Sequence, residues 1–186
     1  METESFLINK KFKAPFFRLK NVDEQYYSID DLLGKNGTLI MFICNHCPYV
    51  KAVANKIVRD ANELYKTGIN SIAIMSNDVE EYPEDSFDNM KKFYKKYHFS
   101  FPYLYDETQE IAKKYDASCT PDFYGFDKNK LLKYRGRIDD GAGLEINNNA
   151  IRELFISMKA IVNNKKIPFN NPSIGCSIKW KKKYDH

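Results

Sequence analysis

A five-residue apolar run, Leu39-Ile40-Met41-Phe42-Ile43, leads directly into Cys44-Asn45-His46-Cys47-Pro48, and this junction restricts the chain more than any other stretch. Beyond it, Val50, Val53, Ala54, Ile57, Val58, Ala61, Leu64 and Tyr65 follow the three-and-four spacing of one helix face. Two cysteines therefore sit where a strand becomes a helix. There the first-turn N–H groups are unpaired and the helix dipole places partial positive charge beside the sulfurs, which favours thiolate over thiol. Thiolates in such settings titrate at about 3.5 to 7.5, against about 8.5 for a free cysteine, and the thiolate is the species that attacks disulfides. At least one of the pair is expected to be reactive. The same spacing also suits half of a tetrahedral zinc site, but a structural site needs a second close Cys or His pair, and none is present. No metal and no cofactor is therefore assigned.

The helix predicted over about 47–66 closes at Thr67-Gly68, where glycine can adopt the left-handed cap, and residues 69–75 form a second strand. A strand, helix and strand with this crossover make a βαβ unit with parallel neighbours. Ser76-Asn77-Asp78 then lies at the C-terminal edge of the sheet, where open α/β sheets bind ligands. Pro83 opens a helix with Phe87, Met90, Phe93, Tyr94 and Tyr97 on one face and Glu84, Asp85 and Asp88 in its first turns, as the dipole prefers. Residues 101–105 read as a third strand, and Pro102 suits an edge position. A short helix over 106–115, a hairpin pairing 123–126 with 131–135, and a closing helix over about 149–163 complete the pattern. Upstream, residues 6–37 form an extension with a short hairpin. The tail from Lys165, with Pro168, Pro172, Gly175 and Cys176, is expected to lie over the body as an irregular segment.

This order describes an α/β chain with a central mixed β-sheet flanked by helices, an N-terminal hairpin extension and an inserted helix and strand. At 186 residues it is expected to be a single domain, with its core over about 12–163 and the tail over 164–186. The net charge of +4 is mild, and the one basic cluster, Lys179-Trp180-Lys181-Lys182-Lys183, reads as a solvated tail, so no nucleic-acid partner is expected. Acidic residues near the start, without an apolar segment after them, predict no export, and no stretch is apolar enough to span a membrane. A cytoplasmic location follows as an expectation. In a reducing compartment a close cysteine pair reads as redox-active or metal-binding rather than as a structural staple.

A cysteine pair after a central strand, Thr120-Pro121 before a hairpin, and a closing helix together resemble the thioredoxin fold. The longer N-terminal part and the insert over 79–105 resemble the peroxiredoxin (AhpC/TSA) and TlpA-like branches of that superfamily. More narrowly, Cys44-Asn45-His46-Cys47-Pro48-Tyr49-Val50-Lys51, Asp106-Glu107-Thr108-Gln109, Cys119-Thr120-Pro121-Asp122-Phe123, Arg137-Ile138-Asp139-Asp140 and Gly175-Cys176-Ser177-Ile178-Lys179-Trp180 resemble a peroxiredoxin-like group within the thioredoxin family. The resemblance implies that Cys44 is the exposed nucleophile and Cys47 the resolving cysteine. It implies that Pro121 is a cis-proline facing the pair, and that the Thr120 backbone hydrogen-bonds an extended substrate beside the disulfide. Two departures stand out. Met41 occupies the place of the buried carboxylate of thioredoxins. Ile40 and Cys44 stand where peroxiredoxins carry Pro and Thr before the peroxidatic cysteine, and no arginine lies near 120–123.

The expected function is a thiol-disulfide oxidoreductase in which Cys44 attacks and Cys47 releases. His46 either stabilises the Cys44 thiolate or is a solvent-facing loop residue. The alternative is a thiol peroxidase with Cys47 peroxidatic and Cys44, Cys119 or Cys176 resolving; a structural zinc protein comes third. Cys119 and Cys176 are candidate auxiliary thiols, Cys119 for its proximity and Cys176 as a mobile option, unless both are inert buried cysteines. The partners expected are a disulfide-containing protein or a small thiol or peroxide substrate, and a reductant protein or thiol.

Overall fold

The computed structural model describes residues 2–5, 11–141, 147 and 149–182. In chain order the elements are β1 (Glu2–Glu4), β2 (Arg18–Asn21), β3 (Tyr26–Ser28), α1 (Ile29–Leu32), β4 (Gly37–Phe42), α2 (Pro48–Tyr65) and β5 (Ile69–Met75). A 3-10 turn (Pro83–Asp85) then leads to α3 (Phe87–Lys96), β6 (Tyr103–Tyr105), α4 (Glu110–Lys114), β7 (Cys119–Thr120), β8 (Asp122–Asp127), β9 (Leu132–Gly136), α5 (Glu153–Val162) and β10 (Ile174–Ser177).

The main sheet runs β3-β2-β6-β5-β4-β8-β9, with β4, β5 and β6 parallel and the remaining pairs antiparallel. Every residue of β4 is buried, because the strand is covered on both faces. Its side chains alternate: Leu39 and Met41 join the cluster with α2 and α5, while Ile40 and Phe42 join the opposite cluster with Tyr115, Tyr124 and Phe126. Burying Phe42 alone contributes about 1.5–3 kcal/mol in transfer terms. At the far end of α2, Gly68 takes φ +80°, the left-handed stop that the Thr67-Gly68 pair predicts.

Four expectations need correction. β6 is not an edge strand: β2 pairs with its outer side, and Pro102 is tolerated because it precedes the strand and offers only its carbonyl, to the Ala73 N–H. Pro83 opens a 3-10 turn rather than the helix itself, so Asp85 lies outside α3 and is wholly buried. The closing helix begins at Glu153. The tail is not irregular throughout: β10 is the middle strand of a second sheet, β1-β10-β7. Of the basic cluster, Lys183 lies outside the described residues. Among the described residues, no helix is long and apolar enough to cross a membrane.

Candidate active site

β4 delivers the chain to the C-terminal edge of the sheet, and α2 starts at Pro48 with Cys47 as its N-cap. Proline fits the first helical position because its missing N–H would be unpaired there anyway. Cys44 and Cys47 lie on either side of Thr120. The Cys44 sulfur is 3.3 Å from the Thr120 hydroxyl, and the Cys47 sulfur is 3.2 Å from the Thr120 carbonyl oxygen. The Thr120–Pro121 peptide is cis. Thr120 and Pro121 thus stand against the pair, where the sequence pattern places them.

Neither sulfur is exposed: Cys44 and Cys47 are both at 0% relative accessibility. This overturns the expectation that Cys44 is exposed. The protonation order is also reversed. Burial pushes the Cys44 thiol well above its ordinary value, and the neighbouring Cys47 and Asp85 charges push the same way. Cys47 is pulled down to about 5, first by a hydrogen bond from Cys44, against its own burial, then by Cys176 and the Val50 N–H. A protonated Cys47 would donate to the Thr120 carbonyl; an ionised one accepts from these several donors at a helix N-terminus. The two sulfurs are thus shifted in opposite directions, Cys47 towards the thiolate and Cys44 towards the thiol.

Asp85 is the residue that reading the sequence as a helix turn hides. One carboxylate oxygen accepts the Asn45 N–H at 2.7 Å and the His46 N–H at 3.1 Å; the other takes the His46 ring nitrogen at 2.6 Å and the Asn77 amide at 2.7 Å. These bonds hold the Asp85 carboxyl below its usual range despite burial. They clamp the 44–47 loop to the Ser76-Asn77-Asp78 segment, the sheet-edge position flagged by the topology. His46 is only partly buried, and its bond to Asp85 raises its pKa, with the Cys47 charge adding to the effect. Asp85 thus holds the His46 ring and favours its charged form, and the Cys47 charge acts in the same direction. Asn45 is fixed from the other side by the Tyr103 hydroxyl at 2.9 Å.

The Cys44 sulfur, a His46 ring nitrogen and an Asp85 oxygen lie within 4.8 Å of one another, a set that can be compared with a metal site. The donors do not suit one well. Both Asp85 oxygens and the His46 Nδ1 are committed to each other and to the loop. Cys44 is held in the thiol form that a metal would have to displace.

The auxiliary thiols separate clearly. Cys119 is buried with its sulfur 3.8 Å from the Pro121 carbonyl, and burial beside Asp122 pushes its thiol up. Cys176 is half-buried on β10, opposite Thr120, and packs against the apolar cluster that contains Cys47. The picture of Cys176 as mobile is corrected, because β10 pairs with β7 on one edge and β1 on the other.

The sequence matches the family model described as AhpC/TSA family over residues 11–135. The chain belongs to the AhpC/TSA family. An uncharacterized conserved protein from Geobacillus kaustophilus is 46% identical, with 97% of each chain covered and a TM-score of 0.90. A hypothetical protein from Sinorhizobium meliloti is 31% identical, over 96% of this chain and 98% of that one, with a TM-score of 0.89. The thioredoxin domain of a thiol-disulfide oxidoreductase from Bacteroides vulgatus shares the fold at 15% identity, over 67% of this chain and 86% of that one, with a TM-score of 0.56. No curated protein matches. This AhpC/TSA-family chain has the thioredoxin-like fold, with its cysteine pair at the start of α2 and the cis-proline across from it.

Proposed function

We propose that this AhpC/TSA-family chain is a thiol-disulfide oxidoreductase in which Cys47 is the attacking thiolate and Cys44 the resolving thiol. One observation carries the reading: the Cys47 sulfur sits at the N-cap of α2 with β10 and Cys176 facing Thr120 beside it, surroundings that with Cys44 pull its thiol down to about 5, while burial pushes the Cys44 thiol up. The order differs from the one the thioredoxin resemblance implies.

The Cys47 thiolate attacks a substrate disulfide, forms a mixed disulfide and releases one substrate thiolate. Once Cys47 is bonded, its negative charge no longer disfavours ionisation of Cys44. Cys44 then gives up its proton to the departing thiolate or to water and attacks the Cys47 sulfur, releasing the second substrate thiolate and leaving a Cys44–Cys47 disulfide. The His46 imidazolium, held by Asp85, favours the charged state of Cys47 without moving a proton. A thiol or protein reductant closes the cycle. The substrate class is a disulfide and the reaction is two-electron exchange.

A low Cys47 pKa also suits peroxide attack, which is the second reading. It lacks support from the surroundings, since among the described residues the hydrogen bond of the Cys47 sulfur goes to the Thr120 carbonyl and not to an arginine. Alkylation with limiting iodoacetamide at neutral pH separates the possibilities. Cys47 should be modified first, Cys47→Ser should abolish disulfide exchange, and the double variant Cys44→Ser, Cys176→Ser should hold a substrate mixed disulfide on Cys47. First modification at Cys44 would restore the thioredoxin order. Fast hydrogen peroxide consumption that depends on Cys47 would favour the peroxidase.

A further inference from the structure

The Thr120–Pro121 edge, where the thioredoxin resemblance implies that an extended substrate pairs, is filled by this chain's own strand. β10 runs antiparallel to β7 with Cys176 opposite Thr120. The approach is tight enough to require glycine beside it: a Cβ on Gly175 would lie 2.1 Å from the Thr120 carbonyl oxygen. Both flanks of β10 are pinned, by the Ile178 N–H to the Ser118 carbonyl at 3.0 Å, by the Lys179 N–H to Asn77 at 2.9 Å, and by the Ser173 hydroxyl to the Gly136 carbonyl at 2.6 Å. Cys176 is therefore held on the edge where the resemblance places a substrate, opposite Thr120, whose carbonyl oxygen is 3.2 Å from the Cys47 sulfur, and it packs against the cluster that contains Cys47. It is also half-buried, where Cys44 and Cys47 are fully buried.

We propose that Cys176 is a third redox thiol, presented on β10 in the manner of a bound substrate, and that it exchanges with Cys47 to carry the disulfide from the buried pair to the protein surface. The inference rests on the proposed thiol-disulfide function and extends it. In the oxidised protein the Cys176 thiolate attacks the Cys47 sulfur; the Cys47–Cys176 bond forms, the Cys44–Cys47 bond breaks, and Cys44 takes up the proton that Cys176 lost. A low-molecular-weight thiolate then attacks the accessible Cys176 sulfur and expels Cys47. Cys47 is the better leaving group because it is the more acidic thiol. A second thiolate removes the first from Cys176. Overall, one protein disulfide and two small thiols give two protein thiols and one small disulfide.

The test uses the full chain and bis(2-hydroxyethyl) disulfide as oxidant, with acid quenching and peptide mapping. Reduced Cys44→Ser protein should release two equivalents of mercaptoethanol per chain and yield a Cys47–Cys176 bridge. The Cys44→Ser, Cys176→Ser protein should release one equivalent and keep the adduct on Cys47. Cys44→Ala is run in parallel, with circular dichroism to establish folding. A persistent adduct on Cys47 in the Cys44→Ser protein, with Cys176 free, overturns the inference and leaves the proposed function standing. Failure of every variant and of the wild type to release thiol overturns both. In a second measurement, oxidised Cys176→Ser protein should be reduced by mercaptoethanol at least about tenfold more slowly than wild type, because only the buried pair remains to be attacked. An equal rate also overturns the inference.

Discussion

Replacing Cys44 by alanine tests the assignment of the thiolate most directly. The Cys44 hydrogen bond is the largest influence holding Cys47 at about 5. A hydrogen bond to a charged group is worth about 1.5–3 kcal/mol, and one pKa unit corresponds to about 1.36 kcal/mol, so losing it should raise the Cys47 midpoint by roughly one to two units. The midpoint should therefore move from about 5 to roughly 6–7. Cys44→Ser keeps a hydroxyl donor in the same place and should move it by less than half as much. The assay is the pH dependence of ultraviolet thiolate absorbance, paired with iodoacetamide rates mapped to Cys47. An unchanged midpoint in Cys44→Ala would show that Cys47 does not owe its acidity to Cys44. Disappearance of the low-pH thiolate signal altogether would assign it to Cys44 and refute the order argued from the N-cap geometry.

Stability of the reduced protein should follow the same groups. Cys47 is depressed on folding, so its contribution is present above about 8.5, the unfolded value, and is lost as pH falls towards about 5. Cys44 is raised, so its contribution is present below the unfolded value and lost at more alkaline pH. His46 is also raised and opposes the Cys47 trend as pH rises through its folded value. Urea midpoints measured against pH should give the reduced protein a rising limb above about pH 5 that is absent once the pair is oxidised; identical slopes in the two redox states would contradict the Cys47 assignment. Asp85→Asn removes a buried charge that receives the loop N–H groups and His46, and should cost about 3 kcal/mol in urea unfolding while lowering the His46 pKa in an NMR titration. A His46 titration that does not move would detach it from Asp85. Gly175→Ala places a methyl group on the Thr120 carbonyl and should destabilise by about 1–3 kcal/mol while speeding Cys47 alkylation. Unchanged alkylation would mean that β10 does not cover the sulfur.

The sequence alone determined the elements whose cause is local. The apolar run before Cys44, the helical spacing after Cys47, the stop at Gly68 and the hairpin around Asp127 are each written within a few neighbouring residues, and they appear in β4, α2 and the β8–β9 pair. The βαβ handedness and the closing helix then leave little choice about which edge of the sheet carries the cysteines. Tertiary structure decided what surrounds each sulfur. Cys44 and Cys47 act on each other locally, but the other groups around them are brought from afar: Asp85 at a separation of 40 residues from Asn45, and Thr120 at 73 and 76 from the two sulfurs. It also decided the role of β10. A four-residue strand rich in small residues shows no clear periodicity, and only its pairing with β7 and β1 makes it a strand at all. The physical reason is the same in both cases. Hydrophobic period and capping act through adjacent turns, whereas a thiol's pKa and a short strand's pairing depend on donors and desolvation supplied through space.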